Sequence, residues 1–93
     1  MPLDLSAGPA RVRLLTRVGC HLCEEARAVV AQVCAERGEA YEEVDLDAAA
    51  ATDPGLLKRY TDEVPVTFVD GAQHAYWRVD PARLRSALLR PPA

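Results

Sequence analysis

The chain has 93 residues, of which 11 are basic and 14 acidic, for a formal net charge of -3. This length leaves room for one small domain, and we expect residues 1–93 to form a single domain with one core. The acidic balance attracts neither a phosphate backbone nor an anionic membrane, so nucleic acid and membrane surfaces are not expected as partners.

The first segment, residues 1–10, has neither a basic start nor an apolar run, and no part of the chain approaches the length of a membrane span. We therefore expect a cytoplasmic protein. Thiols are kept reduced in that compartment, and the odd number of cysteines, three, also argues against a disulfide framework.

A first strand is predicted over residues 11–16. Val12, Leu14 and Thr16 alternate with two arginines, which is the period-two pattern of a half-buried strand. Glycine and proline bound the run upstream, and Gly19 bounds it downstream, so the strand is expected to end before that glycine.

A long amphipathic helix is predicted over residues 20–37. Its apolar residues recur at the spacing of one helix face, and charged residues occupy the other face. The members of the apolar stripe are Leu22, Ala26, Val29, Val30 and Val33. Gly38 is expected to end the helix as a C-terminal cap.

A short polar strand follows over residues 40–46, and its polarity suits the edge of a sheet. Asp53 and Pro54 then provide a helix cap and a favoured first helical residue, which predicts a short helix over about residues 54–60. The alanine-rich run at 48–52 fits either an extension of this helix or a loop.

A β-hairpin is predicted next, over residues 64–78. Its first arm, residues 64–69, is apolar on both faces, as a buried central strand would be. Asp70 and Gly71 follow this arm and supply the positive φ angles that a tight two-residue turn requires.

A last helix is predicted from Pro81, because Asp80 and Pro81 repeat the cap-then-proline signal. Leu84, Ala87 and Leu88 form its apolar stripe. The full order is βαβαββα without repeats or linkers. Such an α/β chain can form one four-stranded mixed sheet with helices on both faces.

Cys20 and Cys23 stand three positions apart, where the first strand gives way to the helix. The first N–H groups of a helix are unpaired and carry partial positive charge, so a sulfur placed there is favoured as the thiolate. Cys23, one turn later, lies close enough to attack a mixed disulfide on Cys20. We therefore expect dithiol exchange in which Cys20 attacks, Cys23 resolves, and an outside reductant resets the pair.

His21 lies between the two thiols. When protonated it would stabilise the Cys20 thiolate, but a solvated side chain without a role explains it equally well. Glu24 and Glu25 would oppose a thiolate electrostatically and are most simply stabilisers of the first helical turn.

A Cys-x-x-Cys pair is also half of many zinc sites, so the metal alternative needs two further ligands. The candidates are Cys34, His21 and His74. Cys34 lies roughly 16 Å beyond Cys23 along the same helix, and His21 is too close in sequence to complete the set. With His74 alone remaining, we expect no metal site within the chain and interpret Cys34 as a buried small apolar residue. A cluster shared between two subunits stays open.

Val64 and Pro65 open the third strand. In isolation a trans bond at a strand's first residue would be favoured, because only about 5–6% of X–Pro bonds in folded proteins are cis. In this order of elements, after a Cys-x-x-Cys helix, a cis bond is favoured instead.

Together these features resemble the thioredoxin superfamily, and most closely the small bacterial glutaredoxin-like proteins. The resemblance rests on residues 19–26, GCHLCEEA, and on Val64-Pro65, and it extends over residues 11–89. It implies a thioredoxin fold, a cis Pro65 packed beside the thiols, a nucleophilic Cys20 and a resolving Cys23.

The resemblance also implies a substrate groove. In glutaredoxins the backbone of the residue before this proline, here Val64, pairs with glutathione, and in thioredoxins the same groove receives an extended protein segment. In glutaredoxins the N-terminus of a late helix binds the γ-glutamyl end of glutathione, and Val79 and Asp80 correspond to the start of that helix. The chain departs from the usual pattern here, because no glycine pair precedes Asp80 and the bulky Trp77 would narrow the groove.

We therefore expect a glutaredoxin-like thiol-disulfide oxidoreductase that acts as a monomer on protein disulfides or glutathione mixed disulfides. It would bind no cofactor, with glutathione as a candidate co-substrate and a cellular reductant to reset it. One alternative is an iron-sulfur cluster or metal-binding module that uses the same thiols. Another is a redox-inert scaffold that uses the fold for protein contacts.

Overall fold

The computed structural model of the chain describes residues 10–91. Its elements are β1 (Val12–Thr16), α1 (His21–Arg37), β2 (Tyr41–Asp45), α2 (Leu46–Ala50), α3 (Gly55–Tyr60), β3 (Val66–Val69), β4 (Ala72–Tyr76) and α4 (Pro81–Leu89). The expectation of no signal or anchor concerns residues 1–10, and all of these but Ala10 lie outside the described residues. Between residues 10 and 91, no helix is both long enough and apolar enough to cross a membrane.

The four strands form one mixed sheet in the order β2-β1-β3-β4. β1 is parallel to β2 and antiparallel to β3, and β3 and β4 form an antiparallel hairpin. This confirms the predicted four-stranded mixed sheet. The polar second strand lies at an edge and the apolar third strand lies in the centre, as their sequences indicate.

Helices cover both faces of the sheet, and the expected single core is therefore divided into two apolar clusters. The cluster on one face joins β1 to α1 and α4, and includes Val12, Leu14, Val30, Val33 and Leu84. The cluster on the other face joins the sheet to α2 and α3, and consists of Leu15, Leu46, Leu56, Tyr60, Val66 and Phe68. Successive strand residues point to opposite faces, so neighbours in β1 belong to different clusters.

β1 is more deeply buried than its alternating pattern predicts. All five of its residues are buried, including Arg13 and Thr16. The reason is its central place in the sheet, with a strand on either side and helices on both faces. Two hydrogen bonds cross the β1–β2 pair: one guanidinium NH2 group of Arg13 donates to Glu42 at 2.6 Å, and the Thr16 hydroxyl donates to Glu43 at 3.0 Å. The buried Nε of Arg13 has no hydrogen-bond partner within the described residues.

The connection between β2 and α3 differs from the prediction. α2 begins at Leu46, where the strand was expected to continue, because the Asp45 carboxylate accepts the N–H of Asp47 at 2.9 Å and of Ala48 at 3.4 Å. Leu46 is fully buried in the second cluster. The alanine-rich run is therefore partly a separate helix rather than an extension of α3.

The cap predicted for α3 is wrong: α3 begins at Gly55, one residue later than predicted, its N-cap is Pro54, and no side chain caps it, so Asp53 is not the cap. The other predicted caps and the hairpin turn are confirmed. Gly38 ends α1 with φ 66°. The hairpin turn has φ 52° at Asp70 and 84° at Gly71, the two positive values that its sequence predicts. The Asp80 carboxylate caps α4 by accepting the N–H of Ala82 at 2.9 Å.

Arg11 joins four parts of the fold at the start of β1. Its guanidinium donates two hydrogen bonds of 3.0 Å to Asp70 and one of 3.1 Å to Glu39. It also donates to the carbonyl oxygens of Leu88 at 3.2 Å and Arg90 at 2.7 Å. The side chain is 12% exposed. The hydrogen bonds to Asp70 above all raise the pKa of Arg11, so it stays charged.

Replacing Arg11 with Met is expected to lower the free energy of unfolding by about 2 kcal/mol, because two half-buried carboxylates and two carbonyl oxygens lose their donor. Urea unfolding measures this loss. Arg85→Met is the control: it removes an exposed pair with Glu36 and should cost clearly less than Arg11→Met. Equal losses in the two variants would contradict the special role of Arg11.

The Glu43 carboxylate on β2 is expected to make stability depend on pH. Hydrogen bonds from Arg27, one of them 2.7 Å long, and a weaker contribution from Thr16 hold the pKa of Glu43 below its ordinary value. A lowered carboxylate pKa contributes stability above the unfolded-state value of about 4.3. That contribution is lost as the pH falls through the folded-state pKa.

Glu43→Gln should therefore show a flatter decline of unfolding free energy between about pH 7 and pH 2.5 than the parent protein. Urea unfolding at a series of pH values tests this. Curves that stay parallel over the whole range would show that the ion pair contributes no pH-dependent stability.

Candidate active site

The start of α1 positions the two thiols. Gly19 turns the chain from β1 into the helix with φ 77°. A Cβ on this residue would meet nothing within 4 Å, so it is the backbone conformation and not lack of space that favours glycine here. Cys20 follows as the N-cap of α1, in an extended conformation with φ -92° and ψ 112°.

The Cys20 sulfur takes the place of a capping oxygen. The backbone N–H of Cys23 donates to its Sγ atom at 3.2 Å, which satisfies one of the unpaired N–H groups of the first turn. A helix N-terminus favours negative charge, so this position lowers the energy of a Cys20 thiolate relative to the thiol. The predicted location of Cys20 at the helix N-terminus is confirmed.

The two cysteines differ in accessibility although they are bonded neighbours. Their Sγ atoms are in disulfide contact, and their Cα atoms are 5.2 Å apart. Cys20 is partly exposed, whereas Cys23 is only 1% exposed. An incoming disulfide can therefore approach the Cys20 sulfur, while Cys23 is reached only from inside the site.

His21 extends into solvent. Its side chain is 87% exposed, and Nδ1 lies 3.8 Å from the Glu24 carboxylate. This exposure favours the interpretation of His21 as a solvated side chain without a role. Glu24 is the carboxylate beside the imidazole. Tuning of Cys20 by His21 stays a prediction.

Val64 and Pro65 are joined by a cis peptide bond, as the resemblance implies. Pro65 is fully buried, and its carbonyl oxygen accepts the backbone N–H of Trp77 at 2.7 Å. The Val64 N–H donates to the carbonyl oxygen of Tyr60 at 3.1 Å. The Val64 N–H is thus already paired within the fold, and contact of Val64 with a substrate stays a prediction.

Val79 and Asp80 both have roles in the fold itself. Val79 is buried in the cluster with α1 and α4, and Asp80 caps α4. Helix capping and core packing thus account for both residues. Their contact with glutathione stays a prediction.

Trp77 occupies an unusual backbone conformation directly after β4. Its φ is 61°, and its ring is about half exposed. The indole N–H donates to the carbonyl oxygen of Asp62 at 2.8 Å, and the ring meets Tyr76 edge to face with centroids 5.0 Å apart. β4 therefore ends at Tyr76, two residues before the predicted end of the hairpin.

An open groove of about 820 Å³ begins at Leu22, between the two cysteines, and runs beside β4 towards α4. Leu22 was expected in the apolar stripe of α1 but is partly exposed here. Arg78 and Arg83 line the same groove, and sequence reasoning missed both. Two arginines close to Asp80 in the sequence could have indicated a positively charged site. Only the position of α4 alongside β4 brings Arg78 and Arg83 to the same groove.

The remaining candidate ligands do not assemble around the thiols. Within residues 10–91, no group of three or more His, Cys, Asp and Glu side chains is placed to hold a metal ion. Cys34 is buried in the cluster with α1 and α4, and burial raises the pKa of its thiol. The interpretation of Cys34 as a small core residue is confirmed. His74 lines the groove, and neither Cys20 nor Cys23 is among the groove's lining residues.

Comparison with known sequences identifies a family and a relative. The model of the family described as "Glutaredoxin-like domain (DUF836)" matches residues 11–89. An uncharacterized protein of Mycobacterium tuberculosis is 41% identical over 81 residues, which cover 86% of this chain and 84% of the relative. The family match includes both the first strand and the last helix.

Comparison with solved structures supports the same fold. The X-ray structure of a structural-genomics target protein from X. campestris is 33% identical, covers 86% of this chain and 99% of that protein, and has a TM-score of 0.66. Wheat glutaredoxin, at 20% identity and TM-score 0.55 over 77% of this chain and 65% of its own, shares the fold. Because the family model spans the whole sheet and both helical layers, this chain belongs to the glutaredoxin-like domain family (DUF836) and has a thioredoxin fold.

Proposed function

We propose that the protein is a thiol-disulfide oxidoreductase that reduces protein disulfides or glutathione mixed disulfides through Cys20 and Cys23. The observation that carries this proposal is the Cys20 sulfur at the N-cap of α1, where it accepts the Cys23 N–H at 3.2 Å. That position favours the reactive thiolate. The family membership and the neighbouring Cys23 sulfur support the same chemistry.

The proposed reaction begins with the reduced protein. The Cys20 thiolate attacks one sulfur of the substrate disulfide, and the other substrate sulfur leaves as a thiolate that takes up a proton. Cys23 loses its proton and attacks the Cys20 sulfur of the mixed disulfide, which releases the second substrate thiol. Two electrons and two protons pass to the substrate, and Cys20 and Cys23 end as a disulfide. A cellular reductant returns two electrons and two protons.

Several further features belong to this proposal. Glutathione is a candidate co-substrate at Val64, Pro65, Val79 and Asp80, where the Val64 carbonyl oxygen is the available backbone partner. The protein would act as a monomer without a bound cofactor, in a reducing cytosol. The odd number of cysteines supports such a compartment.

The roles of the two cysteines can be separated by substitution. Cys20→Ser should lower turnover at least about a hundredfold, because the nucleophile is removed. Cys23→Ser should instead accumulate a mixed disulfide between Cys20 and the substrate, because the resolving thiol is absent. Intact mass after reaction with a disulfide peptide detects the adduct. Full activity in Cys20→Ser would show that the assignment of roles is wrong.

A redox titration tests the chemistry itself. Protein equilibrated with graded ratios of reduced to oxidised glutathione, alkylated and mapped by mass, should show a Cys20 to Cys23 disulfide or glutathione on Cys20. Cys34 is an internal control: because it is buried with a raised thiol pKa, it should stay unmodified until the protein is unfolded. If Cys20 and Cys23 stay reduced at every ratio and the protein carries iron or zinc, the metal-binding alternative replaces this proposal.

A further inference from the structure

The groove beside the thiols has the shape of a site for an extended chain. One wall consists of six successive residues, 73–78, of which residues 73–76 belong to β4 and at about 3.4 Å per residue extend over roughly 10 Å. This wall includes most of β4, and β4 is the last strand of the sheet, with its outer edge unpaired within residues 10–91. An elongated groove along an edge strand suits a polypeptide segment better than a compact molecule.

The groove is positively charged although the chain as a whole is acidic. Arg78 and Arg83 line it, and no carboxylate is among its lining residues. Within residues 10–91, Arg83 forms no ion pair and donates only to the His74 carbonyl oxygen at 3.5 Å. Arg78 is exposed and lies 3.8 Å from Glu25, a loose surface pair that an incoming carboxylate can replace. The charge therefore suits an acidic occupant.

Two aromatic rings form a fixed platform in the same groove. Trp77 is held in a positive-φ conformation, which bulky residues seldom adopt. Its backbone N–H donates to Pro65 and its indole N–H donates to Asp62, and Tyr76 packs edge to face against it. Both rings are about half exposed. Rigid Trp and Tyr side chains are the residues that dominate binding energy at protein interfaces.

We propose that this groove binds an extended acidic segment of a protein disulfide substrate. Carboxylates of the segment pair with Arg78 and Arg83, and an apolar side chain lies on Trp77. Leu22, between the two cysteines, lines one end of the groove, so the substrate disulfide lies beside Cys20. This inference rests on the proposed function and names its substrate class.

Two synthetic peptides test the inference. They have equal length, one intramolecular disulfide and one Leu next to it, and differ only in flanking Glu or Lys residues. Each is mixed with excess fully reduced protein, and alkylation at timed intervals measures a single turnover. The peptide disulfide gains two electrons and two protons, and the protein dithiol becomes the Cys20 to Cys23 disulfide. Oxidised glutathione, a small disulfide that carries carboxylates of its own, serves only to show whether the protein exchanges disulfides at all.

The acidic peptide should react about tenfold faster than the basic one at low salt, because complementary charge raises the rate of encounter. The difference should shrink at about 1 M salt, where charges are screened within roughly 3 Å. The double substitution R78E/R83E should reverse the preference, and R78A/R83A should abolish it. Trp77→Gly should slow the reaction of both peptides several-fold, because it removes the aromatic surface on which the apolar side chain lies.

A matched control separates the groove from net charge. R37E/K58E changes the total charge by the same amount at two exposed residues outside the groove, and it should keep the preference for the acidic peptide. Equal rates for the two peptides in the parent protein overturn the inference, as does a preference that survives in R78E/R83E or disappears in R37E/K58E. If the parent protein reduces neither peptide nor oxidised glutathione, the proposed function itself fails.

Discussion

The hydrogen bond from the Cys23 N–H to the Cys20 sulfur connects the fold to its chemistry. It forms because only four residues, 17–20, connect β1 to α1, and Gly19 among them makes the turn. β1 is buried between two strands and two helical layers, so its end cannot shift without disturbing both apolar clusters. The buried strand β1 thus fixes the position of the Cys20 sulfur, and the N-terminus of α1 favours its ionisation.

A second set of contacts joins the loop before β3, residues 61–65, to Trp77 at the end of the hairpin. The Pro65 carbonyl oxygen and the Asp62 carbonyl oxygen both hold Trp77, one through its backbone and the other through its indole ring. A positive φ at a tryptophan is unfavourable in isolation, so these hydrogen bonds maintain it. The aromatic wall of the groove is in this way attached to the loop that lies before β3, and both belong to the same end of the sheet.

The chain also uses several groups for its own fold where glutaredoxins use the equivalent groups for glutathione. The Val64 N–H is bonded to Tyr60, the Asp80 carboxylate caps α4, and Val79 is part of the core. Trp77 lies in the turn before α4, where glutaredoxins usually have a glycine pair. In the function proposed here, these features favour a longer protein substrate over a tripeptide.

The sequence by itself determined the order of strands and helices apart from α2, the edge place of β2, the cap residues at Gly38 and Asp80, and the thiol pair at a helix start. These depend on local periodicity and on the chemistry of single residues, which are readable within a few positions. Only the tertiary structure decided the burial of Arg13 and the exposure of Leu22, because both depend on neighbours distant in sequence. The groove between β4 and α4 likewise required the packing of elements, since no local pattern states which helix lies beside which strand.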